Sequence, residues 1–154
     1  MRLNGPVAEI RRTRAVAAQP QAIWDVLADF GAISSWADNV DHSCLLSPEA
    51  HAVGVGTTRR VQVGRNTLVE RVTDFGPPST LAYDVEGFPR WLKVNNRWAL
   101  AGSGGTTEVT LTTTVDLGAN PLATFAERAL GWFVAKQSDT LLDGLARQLE
   151  VHRD

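Results

Sequence analysis

Three residues of the chain have the side chains that an acid–base reaction needs, namely Arg59, Glu70 and Tyr83. A guanidinium holds a carboxylate, phenolate or enolate oxygen through two parallel hydrogen bonds. A carboxylate moves a proton or accepts a hydrogen bond from a ligand hydroxyl, and a tyrosine offers a large apolar ring with one polar tip. We therefore take these three residues as the candidate catalytic residues.

Strand alternation predicts that the Arg59 side chain points inward. Arg59 shares the apolar face of its predicted strand with Val55, Thr57, Val61 and Val63. The neighbouring Arg60 falls on the opposite face. An inward Arg59 contacts a ligand, forms an internal ion pair, or extends its charged end to the rim of the fold.

The same pattern leaves the orientation of Glu70 open. One face of its strand would contain Leu68, Glu70, Val72 and Asp74, and the other would contain Val69, Arg71, Thr73 and Phe75. Both faces mix apolar and charged side chains. An inward Glu70 pairs with Arg59 or contacts a ligand hydroxyl, whereas an outward Glu70 forms a surface ion pair, the commoner arrangement for a glutamate.

Six further residues are candidate ligand contacts because they fall on predicted inward faces or near the expected mouth of a cavity. They are Trp36, Asn96, Trp98, Thr113, Phe133 and Gln137. A buried amide must find hydrogen-bond partners, so Asn96 and Gln137 bond either to neighbouring chain or to a ligand. Trp98 is alternatively a core residue, and Trp36 either gates the mouth or packs against the first helix.

We expect no metal ion and no cofactor. His42 and Cys44 lie two residues apart on one strand face, but a zinc site uses two ligand pairs and no second pair is present. Gly54 and Gly56 lead into a strand and lack the third glycine of a dinucleotide fingerprint. The glycines at 102–105 precede no lysine, as a phosphate-binding loop would require.

Composition restricts the class of protein further. The 154 residues, 44% hydrophobic and 21% charged, predict a single globular domain over residues 1–154. Fifteen basic and seventeen acidic residues give a net charge of -2, which argues against nucleic acid as a partner. The sequence contains one cysteine and neither an apolar leader nor an apolar span, so we expect a cytoplasmic protein without integral membrane association.

The secondary structure predicted around these residues begins with a strand over 7–18. Pro20 then begins a helix that Gly31 ends, and a short helical segment covers 32–36. The apolar stripe of the first helix consists of Ile23, Val26, Leu27 and Phe30. About six antiparallel strands follow, separated by glycine and proline turns. Their apolar faces need a cover.

The C-terminal segment is predicted to form a long helix that packs on these apolar faces, with Asn120 as its N-cap and Pro121 as its first residue. Gln137 and Thr140 interrupt its apolar stripe with polar groups. Two glycines inside it, Gly131 and Gly144, each cost about 1 kcal/mol relative to alanine. These features favour a helix face that contacts more than a packed sheet.

The chain resembles the polyketide cyclase and dehydrase branch of the START-like (SRPBCC) superfamily. The segment 16–30 followed by Trp36 looks like the opening of that branch, and four later segments resemble its strands. They are Gly54–Arg60, Leu68–Val72, Leu81–Tyr83 and Gly105–Thr110. The resemblance covers nearly the whole chain.

The resemblance implies an α+β helix-grip fold, in which an antiparallel sheet wraps around a long C-terminal helix and encloses an apolar cavity. It implies binding of a small hydrophobic molecule such as a polyketide, a lipid or an aromatic metabolite. Because that family places binders, carriers and enzymes on one scaffold, an aromatase or cyclase activity is the alternative. A third alternative, a protein-interaction module, would expose an apolar patch instead of a deep cavity.

Overall fold

The computed structural model describes residues 7–46, 53–88, 92–117 and 123–151, and within the last helix it describes the side chains of 132–150. The elements are β1 (Val7–Val16), α1 (Pro20–Ala28), a 3-10 helix (Phe30–Ser35), β2 (His42–Leu45), β3 (Thr58–Val63), β4 (Asn66–Gly76), β5 (Thr80–Glu86), β6 (Lys93–Ser103), β7 (Thr106–Asp116) and α2 (Ala123–Val151). The predicted α+β class and the order of elements are confirmed.

The seven strands form one antiparallel sheet in the order β1-β7-β6-β5-β4-β3-β2. The long helix α2 packs on β1 and β7 and against α1. The core consists of the apolar residues of the inner sheet face together with those of α1, the 3-10 helix and α2. This is the helix-grip arrangement, with the cover on the face that alternation predicts to be apolar. None of the helices that the structure describes is long and apolar enough to cross a bilayer.

The end of the first helix differs from the prediction. Helix α1 ends at Ala28, because Asp29 has a ψ of 68° that takes the backbone out of the helical region. The 3-10 helix then begins at Phe30 and runs through Gly31, which therefore does not end α1. The predicted cap of the last helix, Asn120 and Pro121, lies outside the described residues.

A β-bulge in β4 explains why alternation fails to orient Glu70. The register with β5 shifts between Val72 and Asp74, so the face that points inward changes parity there. Before the shift Glu70 is inside, at 7% exposure, and after it Phe75 packs against the core. Arg71 is exposed and pairs with Glu86 on the outer face.

Gly144 lets α2 lie directly on the segment that follows the 3-10 helix. A Cβ atom at this position would lie 2.3 Å from the carbonyl oxygen of Trp36 and 3.6 Å from the Cα of Ala37. Only glycine permits this approach of two backbones. The helix-weakening glycine noted in the sequence is therefore a packing requirement.

Candidate ligand-binding cavity

A cavity of ≈ 190 Å³ lies between the inner face of the sheet and α2. Its apolar lining includes Val61, Val63, Leu68, Val85, Val94 and Leu141. Two aromatic side chains line it and are also exposed, Phe88 at 40% and Phe133 at 52%. The cavity therefore reaches the surface between the end of β5 and the exposed side of α2.

Arg59 and Glu70 form an ion pair at the base of this cavity. The two residues stand directly opposite each other on β3 and β4. Arg59 Nε donates a hydrogen bond of 2.8 Å to Glu70 Oε1, and Arg59 Nη2 lies 2.6 Å from the same oxygen. Their side chains are 3% and 9% exposed, so solvent screens the attraction little.

The remaining contacts of the Arg59 guanidinium are with Phe30 and Tyr83. Nη1 donates a hydrogen bond of 2.8 Å to the carbonyl oxygen of Phe30. The guanidinium carbon lies 3.8 Å from the centre of the Phe30 ring and 4.7 Å from the centre of the Tyr83 ring, in cation–π contact with both. These contacts tie β3 to the start of the 3-10 helix.

Arg59 is inward as predicted, but it does not line the cavity. Of the alternatives taken from the sequence, the internal ion pair is the one that the structure shows, and contact of Arg59 with a ligand oxygen stays a prediction. One N–H group on each of Nε, Nη1 and Nη2 is directed to Glu70 or to the Phe30 carbonyl oxygen. Glu70 does line the cavity, and the surface ion pair considered for it is wrong.

Tyr83 is the centre of a buried polar network on β5, β6 and β7. Its hydroxyl oxygen accepts hydrogen bonds from Trp98 Nε1 at 3.2 Å and from Asn96 Nδ2 at 3.5 Å. Thr113 Oγ1 donates to Asn96 Oδ1 at 2.6 Å and so fixes the amide. Tyr83, Asn96 and Thr113 all line the cavity, as their inward alternation predicts.

Burial raises the pKa of the Tyr83 hydroxyl above its ordinary value of 10.0, and the negative charge of Glu70 raises it further. The charge of Arg59 and the hydrogen bonds from Trp98 and Asn96 lower it, but these effects are smaller. Tyr83 therefore keeps its proton at physiological pH and presents a hydrogen-bond donor.

We expect Tyr83 in the folded protein to ionise at a higher pH than a free tyrosine. Because the chain contains a single tyrosine, tyrosinate absorbance reports this side chain alone. The unfolded chain loses this proton near pH ~10 while the folded protein retains it, so stability falls as the pH rises from there through the folded pKa. Below the unfolded pKa this contribution is fully present.

The variant Tyr83→Phe is the control for this titration. It abolishes the absorbance change and removes the part of the alkaline stability loss that Tyr83 causes. A protein that is still folded by circular dichroism and titrates at or below the ordinary tyrosine pKa would contradict the expectation.

An amide pair borders the cavity on the helix side. Asn39 Nδ2 donates a hydrogen bond of 2.6 Å to Gln137 Oε1, and both residues line the cavity. Asn39 Oδ1 is buried and has no hydrogen-bond partner among the residues that the structure describes. Gln137 lies at the cavity, on the side of α2 that faces the sheet.

The two predicted tryptophan contacts lie behind the cavity wall. Trp36 is 6% exposed and Trp98 is 1% exposed, and their rings meet edge to face at 6.0 Å. Neither lines the cavity. The structure shows the packing alternative for both residues, because Trp36 is held in the core under α2 and Trp98 is directed to the Tyr83 hydroxyl. Contact of either residue with a ligand stays a prediction.

Sequence reasoning misses several lining residues. The candidate contacts taken from the sequence do not include Asn39, Ser138, Ile33, Val40 or Phe88, all of which line the cavity. The sequence could have identified Ser138 as a lining residue, because it is a polar residue next to Gln137 on the same helix. Among the residues that the structure describes, no group of three His, Cys, Asp or Glu side chains is placed to hold a metal ion.

Comparison with known proteins gives a family and a set of similar folds. The family model described as polyketide cyclase / dehydrase and lipid transport matches residues 7–150. No curated protein sequence matches the chain.

Three solved structures of similar fold cover nearly the whole chain. The Zhui aromatase/cyclase from Streptomyces sp. R1128 has a TM-score of 0.79 at 20% identity and covers 97% of each chain. A protein from Thermus thermophilus has a TM-score of 0.75 at 16% identity, covering 96% of this chain and 100% of its own. A START superfamily protein from Mycobacterium smegmatis has a TM-score of 0.71 at 16% identity, covering 92% and 98%.

Proposed function

Because the chain belongs to the family of polyketide cyclases, dehydrases and lipid-transport proteins, we propose that it binds a small hydrophobic molecule between the sheet and α2. The observation that carries the proposal is the apolar cavity of ≈ 190 Å³ that reaches the surface beside Phe88 and Phe133. Burying about 200 Å² of apolar ligand surface in this cavity contributes about 5 kcal/mol to the free energy of binding, before the entropic and desolvation costs of association are subtracted.

The size of the cavity restricts the ligand. An apolar protein cavity of about 150 Å³ holds benzene, and pockets for drug-sized molecules begin at about 300 Å³. A volume of ≈ 190 Å³ therefore suits a molecule of one or two rings, or a short chain. A long lipid acyl chain would extend through the mouth into solvent.

The second candidate is an aromatase or cyclase reaction, the activity named for the Zhui neighbour. Its support is the presence of a carboxylate, Glu70, and a hydroxyl, Tyr83, on the wall of an apolar cavity. Against it, Arg59 is paired with Glu70 and does not line the cavity, where it would have to stabilise an enolate, and Tyr83 holds its proton too firmly to act as a base. Mass spectrometry of small molecules that co-purify distinguishes the two: a bound mass that changes with time identifies turnover.

The interaction module is the least supported of the three functions. Trp132 and Phe133 are exposed, but Phe133 lines the cavity and so belongs to its mouth. An apolar cavity that extends inward from the surface favours a small ligand over a protein surface.

Filling the cavity should abolish binding. Val94 lines the cavity from β6, and the variant Val94→Phe places a ring in the space that a ligand would occupy. We expect the affinity for naphthalene, measured by equilibrium dialysis, to fall at least about tenfold, equivalent to about 1.4 kcal/mol. The matched control is Val55→Phe, the same substitution at a residue that is 71% exposed and away from the cavity.

The control variant should bind naphthalene as the wild-type protein does. Equal affinities of all three proteins would place the binding outside the cavity. No binding of naphthalene to the wild-type protein would overturn the proposed function for ligands of this size.

A further inference from the structure

We propose that the ligand is a neutral molecule bearing a hydroxyl group, which accepts a hydrogen bond from Tyr83 and donates one to Glu70, and that carboxylate-bearing molecules are rejected. The inference rests on the proposed function, since it assigns the chemical class of the molecule in the same cavity. It rests on a comparison of the hydrogen-bonding atoms of the cavity wall that already have partners in the protein with those that are available to a ligand.

The wall presents no available cation. Among the described residues that line the cavity there is no lysine, arginine or histidine. Arg59 lies behind the wall, and its Nε, Nη1 and Nη2 atoms are directed to Glu70 and to the Phe30 carbonyl oxygen. An anionic ligand would enter an apolar space without a counter-charge, so it would lose its hydration without compensation.

Glu70 presents an acceptor. Both contacts from Arg59 go to Oε1, and no hydrogen bond within the described part of the chain reaches Oε2. Glu70 lines the cavity, so Oε2 is the part of this carboxylate that remains for a ligand. A carboxylate oxygen accepts hydrogen bonds and repels a second carboxylate.

Tyr83 presents a donor. Its oxygen already accepts hydrogen bonds from Trp98 Nε1 and Asn96 Nδ2, and neither of these groups can accept the phenolic proton. The O–H bond of Tyr83 is therefore the part left for a partner, and the side chain lines the cavity. Burial keeps the proton in place, as the raised pKa of Tyr83 indicates.

The donor and the acceptor line the same cavity from neighbouring strands, β5 and β4. Glu70 stands opposite Val85, and Tyr83 is two residues from Val85 on the same strand, so Glu70 and Tyr83 are diagonal neighbours on one sheet face. A hydroxyl group is the small group that accepts one hydrogen bond and donates another through a single oxygen. An ether or ketone oxygen satisfies Tyr83 alone, and a hydrocarbon satisfies neither.

Four naphthalene derivatives of similar size separate these possibilities, measured with the wild-type protein by equilibrium dialysis at neutral pH. We expect 2-naphthol to bind at least about tenfold more tightly than naphthalene, because its hydroxyl gains a hydrogen bond to a charged acceptor. The acceptor-only 2-methoxynaphthalene should bind more weakly than 2-naphthol. The anion 2-naphthoate should bind more weakly than naphthalene.

The variant Tyr83→Phe adds a test of the donor. If it folds, judged by its circular dichroism and melting temperature, the preference for 2-naphthol over naphthalene should shrink. If it does not fold, the wild-type series alone decides. Equal binding of naphthalene and 2-naphthol, or tighter binding of 2-naphthoate, would overturn the inference and leave the proposed function standing. Binding of none of the four would overturn both.

Discussion

Replacing Arg59 with methionine is expected to lower the free energy of unfolding by about 3–5 kcal/mol. The substitution keeps an unbranched apolar stem but leaves the carboxylate of Glu70, with a side chain 9% exposed, without its partner. An unpaired buried charge has lost its hydration and gains nothing in return. Denaturant-induced unfolding, followed by circular dichroism, measures the loss.

Two further variants test whether the loss of stability arises because the charge of Glu70 is buried and unpaired. In Arg59→Met/Glu70→Met both charges are gone, and we expect most of the lost stability to return. In Arg71→Met the partner left behind is Glu86, about half exposed and 3.3 Å from Arg71, so the loss should be at most about 1 kcal/mol. Equal losses for Arg59→Met and Arg71→Met would show that the inner pair contributes no more than a surface pair.

Replacing Gly144 with alanine is expected to destabilise the protein by about 1–3 kcal/mol, although alanine is the better helix former by about 1 kcal/mol. The added methyl group would lie 2.3 Å from the carbonyl oxygen of Trp36, which is backbone and cannot rotate away. Helix α2 must then move away from this segment. Thermal and denaturant unfolding of the variant measure the effect.

The control for this variant is Gly54→Ala, where a Cβ atom would meet nothing within 4 Å. Its stability should change by no more than about 0.5 kcal/mol. A stabilised Gly144→Ala variant would show that helix propensity outweighs the contact with Trp36. Movement of α2 would also widen the cavity, because Gln137 and Leu141 line it from this helix, so naphthalene binding should weaken in parallel.

The sequence predicts the orientation of one member of the Arg59–Glu70 pair but does not predict that the two residues meet. The inward position of Arg59 follows from alternation, since the residue period of a strand is a local property of the backbone. Its partner does not follow. Glu70 stands opposite Arg59 because the turn between β3 and β4 places Val63 opposite Asn66. A register one residue different would set Arg59 against Val69 or Arg71.

The same limit applies to the wall of the cavity. Tyr83, Asn96 and Thr113 lie on β5, β6 and β7, and each strand alternates regularly enough to place its side chain inward. On β4 the bulge after Val72 reverses the faces, so alternation over the whole strand averages two opposite patterns. The orientation of Glu70 could therefore not be read from the strand.

The class and order of the elements, and the inner faces of the strands that alternate regularly, follow from the sequence because they depend on periodicity and turn residues within short segments. Three other features become visible only in the folded chain: Arg59 is engaged by Glu70, Trp36 and Trp98 lie behind the cavity wall, and Gly144 fits against the Trp36 carbonyl. Each of these depends on the strand register or on the distance between segments far apart in the chain. The local pattern of residues contains no information about strand register or about distances between segments far apart in the chain. The fold was therefore predictable, whereas the hydrogen-bond donors and acceptors available to a ligand were not.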